Sequence, residues 1–338
     1  MKAAVFHEKA RELKIEIVPD PKVPQGWALI KVRAAGVCGT ELHFLDGLFP
    51  PGKMPFILGH EIAGDVAEAP KDSKWKRGDR VAIYNLMNCG SCRSCRSGWD
   101  ELCTSPLGQL GFTHDGGYAE LVTAPVNSLV SLPDELSYAD GAVLSCGGIS
   151  ARHAVRLSGI GLLDTVAVDG VGGVGLMVAQ VAKLTGARVL AIADSSEKAE
   201  LMRKVGIDES IVIDNYDGLS KKILAKTDGR GLDAFFELVG TRDSTREGLL
   251  SLASLGRFVI IGYTKDHLDV DPLWTVIGER KLLASVQGAK RDLEDVLQLA
   301  KQGKIKTVIQ NKFALEEVNK ALEALRLRKS LGRNVLVF

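Results

Sequence analysis

The sequence predicts an α/β protein in two parts: a β-rich domain and a doubly wound parallel sheet. Three observations carry that expectation. Over roughly the first 130 residues, short β-rich segments ("AAVF", "LKIEIV", "WALIKVRAAGV", "IAGDVAEA", "RVAIY", "AELVTAP") are separated by Pro, Gly and Asp turn signals. From about Asp140 the rhythm changes, and six buried strands ("TVAVDG", "RVLAIAD", "SIVID", "LDAFFELVG", "GRFVIIG", "KLLASVQ") alternate with amphipathic stretches. After about Ser285 the segments "DLEDVLQLAKQGK" and "ALEEVNKALEALRLRK" read as helices and "RNVLVF" as a closing strand, outside the six-strand count. This tail is expected to return to the first domain. The expected divisions are 1–147, 148–285 and 286–338, with a cysteine lobe at about 85–106 in the first.

Composition bounds the function. Hydrophobic residues make up 46% of 338, enough for two cores, and 43 basic against 42 acidic side chains leave a net charge of +1. Nothing in that balance points to a nucleic-acid partner. No apolar run approaches the about 18 residues of a membrane span, and "VAVDGVGGVGLMVAQVA" is interrupted by Asp169 and glycines. The N-terminus "MKAAVFHEKARELKIEIV" lacks an apolar stretch of signal-peptide length. A soluble, cytoplasmic protein is expected. No internal repeat or low-complexity tract is present.

Six cysteines are unevenly spread. Cys89, Cys92, Cys95 and Cys103 lie within 15 residues as C-x2-C-x2-C-x7-C, while Cys38 and Cys146 stand apart. The cluster can fold four thiolates around a tetrahedral zinc, closing the coordination sphere so that the ion holds structure. Disulfides would suit a secreted chain better. An iron–sulfur site would have a shorter last spacing with proline after the final cysteine, where this chain has Thr104. Cys38 and Cys146, joined by His60, would supply three ligands to a second zinc and leave its fourth position open. Taken singly, Cys38 and Cys146 could equally be small buried apolar residues and His60 a core histidine.

The strand "TVAVDG" runs into Gly170-x-Gly172-x-x-Gly175, then a helical stretch and a second strand. Gly170 permits the turn, Gly172 lets backbone approach a pyrophosphate and Gly175 lets helix and strand pack; Gly173 lies within the same loop. Asp194 follows the second strand, 24 residues after Gly170, where a carboxylate can accept from both ribose hydroxyls. Otherwise it is a solvated turn acid. A 2′-phosphate would meet like charge there, and Ser195 and Ser196 provide no arginine. NAD is therefore expected over NADP.

With "GVCGTELH", "LGHE", the four-cysteine lobe, "GGYAE" at 116–120, "GVGGVG" and "GRNVLVF", the chain resembles the zinc-containing medium-chain alcohol dehydrogenases along essentially its whole length. The resemblance implies a GroES-like catalytic domain, a Rossmann coenzyme domain inserted into it, an active site in the cleft between them, and a homo-oligomer, tetramer favoured over dimer. It implies reversible hydride transfer between a primary or secondary alcohol and NAD. Two zinc ions per chain follow, the catalytic one on Cys38, His60 and Cys146. Glu61 looks like the family glutamate that approaches this zinc during ligand exchange. Glu41 stands where the family commonly has aspartate to orient the histidine ligand. Thr40 and His43 resemble the route by which the alcohol proton leaves. Arg333 matches a pyrophosphate-binding arginine, and Ser150 would sit near the nicotinamide unless it caps a helix start. His7, His114, His153 and His267 match no motif. Asn85 replaces a bulky aromatic common in the substrate pocket, so simple, polyol and amino-alcohol (threonine- or sorbitol-type) substrates all stay open. An NADPH-linked enoyl reductase of the same superfamily is the other alternative, and it would not need the three zinc ligands.

Overall fold

The computed structural model describes every residue except 9, 50–52, 208, 328 and 329, so the end of the second expected C-terminal helix lies outside the described residues. Alternating burial along Trp27–Val37 marks a strand with one face in a core. It centres a sheet in which Leu129–Ser131, Arg80–Ile83, Ile62–Glu68, Trp27–Val37, Arg333–Val337 and Ile309–Ala314 follow one another, with Leu121–Pro125 also pairing to Trp27–Val37. The C-terminal strand runs antiparallel to it, with Asn334 opposite Val37 and Val337 opposite Ala34. The last residues of the chain thus lie beside the strand that leads into Cys38. Lys14–Ile17, Lys2–Phe6 and Phe56–Ile57 form a smaller sheet.

The chain divides into two units. One comprises Met1–Ile149, Ala289–Gly303 and Thr307–Phe338, the other Ser150–Gly288 and Lys304–Lys306. The changeovers fall at 149/150 and 288/289, with a short return to the second unit at 304–306. In the first unit the helix Lys290–Lys301 buries Leu293, Val296 and Leu297, and Val318–Arg326 buries Val318, Ala321 and Leu322, the three-four spacing of one helix face.

In the second unit six parallel strands stand in the order Glu209–Val212, Arg188–Ala193, Thr165–Asp169, Leu232–Glu237, Leu252–Ile260, Lys281–Ala284. The chain starts in the middle and works outward in both directions, which is the doubly wound arrangement. Ala167, Leu190, Ile192, Phe235 and Phe258 are in its core, the two phenyl rings stacked at 5.4 Å. No helix among the described residues is long and apolar enough to cross a membrane.

Candidate metal centres and coenzyme loop

Cys38 ends its strand and becomes the N-cap of the helix Gly39–Leu45. A helix start has unpaired N–H groups. Glu41, at the third helical position, turns back so that its Oε2 accepts the Cys38 backbone N–H at 3.0 Å. Its other oxygen, Oε1, lies 2.7 Å from His60 Nδ1. A carboxylate only accepts, so this contact puts the imidazole proton on Nδ1 and leaves Nε2 with its lone pair free for a metal. Nε2 faces Cys146 Sγ at 3.3 Å. Glutamate in place of the family's aspartate therefore serves two tasks at once, capping a helix and orienting a ligand.

The "LGHE" segment is held by "GGYAE". Backbone N–H groups of Gly116, Gly117 and Tyr118 donate to the carbonyls of Ile57, Gly59 and Leu58 at 2.8, 2.7 and 3.0 Å. Gly59 has φ +96°, and a Cβ there would sit 2.4 Å from the Tyr118 ring. Cys146 comes from a wide π-turn, Leu144–Gly148, inserted between the helices Tyr138–Val143 and Ile149–Ser158. Such a bulge re-aims a side chain at small cost in backbone bonding. Ser150 consequently lies inside a continuous helical run and is not a helix-start cap.

Ligand atoms of Cys38, His60, Glu61 and Cys146 all lie within 4.8 Å of one another, and Cys38, His60 and Glu61 are buried. The thiols cannot ionise independently. A contact from Cys146 holds Cys38 well below the usual thiol range against the cost of burial, and the same contact together with burial pushes Cys146 well above it. Burial works to lower His60, but Glu41 and Cys38 outweigh it and raise it well above its ordinary value. A dry pocket that concentrates two thiols and an oriented imidazole fits a zinc ion.

Glu61 is fully buried and its carboxyl is pushed up to about 8 by burial, against the pull of Arg333. Arg333 Nη2 lies 2.7 Å from Glu61 Oε1, though neither atom has an aligned hydrogen bond, so the contact is one of charge. Arg333 was expected to contact a pyrophosphate; here the guanidinium is 5% exposed and faces the carboxylate of Glu61. Gly36 explains how Glu61 fits, since a Cβ there would be 1.9 Å from Glu61 Oε2. That contact, between residues 25 positions apart, cannot be read along the chain. Thr40 Oγ1 is 3.6 Å from Cys38 Sγ. His43, on the same short helix, packs edge-on to Phe49, while Phe112 packs edge-on to His60. Asn85 is buried, and its carbonyl accepts from Leu110 N–H at 2.9 Å.

The four-cysteine lobe is assembled locally. Cys92 Sγ lies 3.4 Å from Cys95 Sγ and 4.0 Å from Cys103 Sγ, and Cys89 Sγ is 4.0 Å from Cys95 Sγ. Zinc–sulfur bonds of about 2.3 Å would set tetrahedral sulfurs roughly 3.8 Å apart, and a disulfide would need about 2.05 Å. Backbone N–H groups point at the sulfurs, Cys92 N to Cys89 Sγ and Cys89 N to Cys103 Sγ, both at 3.3 Å. Backbone N–H groups of Cys95 and Thr104 bring Cys92 down to about 5, whereas burial and the neighbouring sulfurs push Cys95 up to about 12. Four sulfurs at this spacing fit a tetrahedral zinc, which would hold all of them as thiolates.

In the second unit Gly170 takes φ +102°, and a Cβ on Gly175 would lie 1.9 Å from the Gly170 carbonyl oxygen. A Cβ on Gly172 would meet nothing within 4 Å. It would instead fill open space, the kind of gap through which a phosphate could reach the backbone. Gly172 caps the helix Gly173–Leu184 without a side-chain bond, leaving that N-terminus open to an anion. Asp194 follows the Arg188–Ala193 strand, and Lys198 Nζ lies 2.7 Å from its Oδ2. Sequence reasoning looked for an adjacent arginine and missed this lysine, although the four-residue spacing on a helix start signals such a pair.

Comparison with known proteins agrees with this geometry. Residues 24–134 match the alcohol dehydrogenase GroES-like domain, and residues 173–302 match the zinc-binding dehydrogenase domain. The chain belongs to the zinc-containing medium-chain dehydrogenase/reductase family. Among relatives, an NAD-dependent alcohol dehydrogenase of Sulfurisphaera tokodaii is 33% identical over 348 residues, covering 100% of both chains. An acryloyl-coenzyme A reductase of Metallosphaera sedula is 32% identical over 99% of each. The crystal structure of an alcohol dehydrogenase from Aeropyrum pernix superimposes with a TM-score of 0.93 at 30% identity, covering 100% of both chains.

Proposed function

We propose that this oxidoreductase acts on CH–OH groups with NAD, and that it oxidises a primary or secondary alcohol, reversibly, at a zinc held by Cys38, His60 and Cys146. The observation that carries the reading is the buried set itself, with Glu41 fixing the His60 tautomer. When bound there, zinc supplies the Lewis acidity that lets an alcohol lose its proton near neutral pH, and NAD accepts the hydride. The chain's own residues do the rest. Thr40 would accept the alcohol's hydrogen bond and, as it takes up that proton, release its own hydroxyl proton onward, by way of the coenzyme ribose, to His43, which hands one to solvent. Glu61 balances charge beside the ligands, with Arg333 as its counter-ion. Gly170, Gly172, Gly173 and Gly175 receive the pyrophosphate, Asp194 the adenosine ribose, and Ser150 lies toward the nicotinamide.

A second zinc on Cys89, Cys92, Cys95 and Cys103 would be structural, giving two per chain. A cytoplasmic homo-oligomer, tetramer favoured, is part of the same reading. Leu273, Val276 and Ile277 on the helix Pro272–Ile277, and Val286 just after the edge strand Lys281–Ala284, support self-association, being 57 to 75% exposed.

The Metallosphaera sedula relative supports a rival reading, reduction of an enoyl thioester. Such a reaction has no use for Cys38, His60 and Cys146 together, which favours the alcohol. The deciding experiment is a panel of alcohols, polyols, aldehydes and an acryloyl thioester assayed with NAD(H) and NADP(H), before and after zinc chelation. Turnover of the thioester alone, or chelation without effect on alcohol oxidation, would overturn the reading.

A further inference from the structure

The strands Thr165–Asp169 and Leu232–Glu237 are neighbours at the point where the strand order reverses. Their last registered pair is Asp169 with Glu237. Registered residues on parallel neighbours project to the same face, about 4.8 Å apart. Two carboxyl groups thus stand side by side, 1% and 0% exposed. Each is half satisfied. Glu237 Oε1 accepts from the backbone N–H groups of Val239 and Gly240, both at 2.7 Å, and Asp169 Oδ1 accepts from the Tyr216 hydroxyl at 3.3 Å. Asp169 Oδ2 and Glu237 Oε2 are buried with no hydrogen-bond partner.

Two buried acceptors without a donor are costly, and two buried like charges more so. A single proton relieves much of this cost, because it removes one of the two neighbouring buried charges and turns one bare acceptor into a donor. A metal is a poor alternative, since neither group belongs to a cluster of three or more ligand atoms among the described residues. Among the described residues, the groups acting on the pair bring no positive charge. On Asp169 act Tyr216 and Asp194 besides Glu237, and on Glu237 the Val239 and Gly240 amides and Ser244. Lys198 is committed to Asp194. Burial first, then the charge of Glu237, pushes Asp169 up to about 8, and burial raises Glu237.

The pair also sits under the glycine-rich loop. Asp169 is followed directly by Gly170, and a Cβ on Gly170 would come within 3.2 Å of Val239, whose amide holds Glu237. We propose that Asp169 and Glu237 bind one proton between them beneath this loop, and that its release weakens binding of the dinucleotide. The ligand, though not the proton, rests on the coenzyme reading above. With the proton held, the corner carries one negative charge; without it, two, facing a pyrophosphate that carries two more. Affinity for NAD is therefore full below the titration of the pair and falls as pH rises through it. The same proton bears on folding. Unfolded carboxyls release theirs near pH 4, so between there and the folded value the native state binds more protons, and stability falls with rising pH.

Asp169→Asn supplies a permanent uncharged donor in the same shape. NAD binding measured by calorimetry from pH 6.5 to 9.5 should weaken about tenfold in the wild type, the size a single like charge within roughly 10 Å produces, and should stay nearly flat in the variant. Thermal melts of coenzyme-free protein should favour the variant at pH 9 over its standing at pH 6. If Asp169→Asn does not fold, Glu237→Gln makes the same comparison, and the carboxyl carbon shift of Asp169 in labelled wild type reports its titration directly. Parallel binding and melting curves for wild type and variant, or an Asp169 that titrates near pH 4, would overturn the proposal. A wild type that binds no NAD at any pH would instead overturn the coenzyme reading, and the melts and the carbon shift would still decide on the proton.

Discussion

The two candidate metal centres of this chain differ in how far apart their ligands lie in sequence and in what surrounds them. In the lobe, four thiols come from one 15-residue loop, all partly exposed, and backbone amides of that loop hold the sulfurs. In the other centre Cys38, His60 and Cys146 come from a helix cap, a glycine-bent segment and a π-turn, and their surroundings are buried carboxylates and a guanidinium. A local loop has little beyond its own amides to organise it, so an ion bound there would contribute to folding. A site built from distant elements is organised by the fold, so a metal bound there would be left available for chemistry.

Replacing a ligand in each centre separates them most sharply. Cys38→Ala or His60→Ala should eliminate alcohol oxidation and lower zinc by one ion per chain, with the lobe's ion retained. Elemental analysis together with activity checks this, and residual activity with full zinc would break the contrast. Cys95→Ser should act the other way round. It should cost more than about 2 kcal/mol of unfolding free energy, measured by denaturant titration, while the enzyme that remains folded keeps a near-normal kcat.

Smaller effects test the supports. His43→Gln should slow turnover by roughly ten- to a thousandfold at neutral pH, with zinc and NAD binding unchanged. Higher pH or a small diffusible base should restore part of the loss, which a missing metal would not allow. Glu41→Gln keeps the shape but no longer requires the proton to sit on His60 Nδ1. Zinc affinity in that centre should fall about 10- to 100-fold, read by competition with a chelator, and the lobe should be unaffected.

The lobe was legible because its spacing alone brings the thiols together. For the buried centre the ligand names were legible only through motifs, and their supports were not. Nothing in the sequence links Gly36 to Glu61, or "GGYAE" to the backbone of "LGHE". Asp169 read merely as a break in an apolar run until strand register set Glu237 beside it. Arg333 was assigned to a phosphate by position, and the structure turns it toward Glu61. The strand Ile309–Ala314 went unseen because its exposure is nearly continuous, with no alternation to betray it.

What the sequence determined by itself is whatever depends on near neighbours: the periodic strands and helices, the cysteine lobe, the glycine turn that opens the coenzyme loop. Hydrophobic period, ligand spacing and turn chemistry act over a few residues, and so can be read in order along the chain. What only the tertiary structure decided is which charged groups share a buried space. That follows from register and packing between segments far apart in the chain, where burial multiplies the effect of every neighbouring charge. The pairs Glu41–His60, Glu61–Arg333 and Asp169–Glu237 all belong to this second kind.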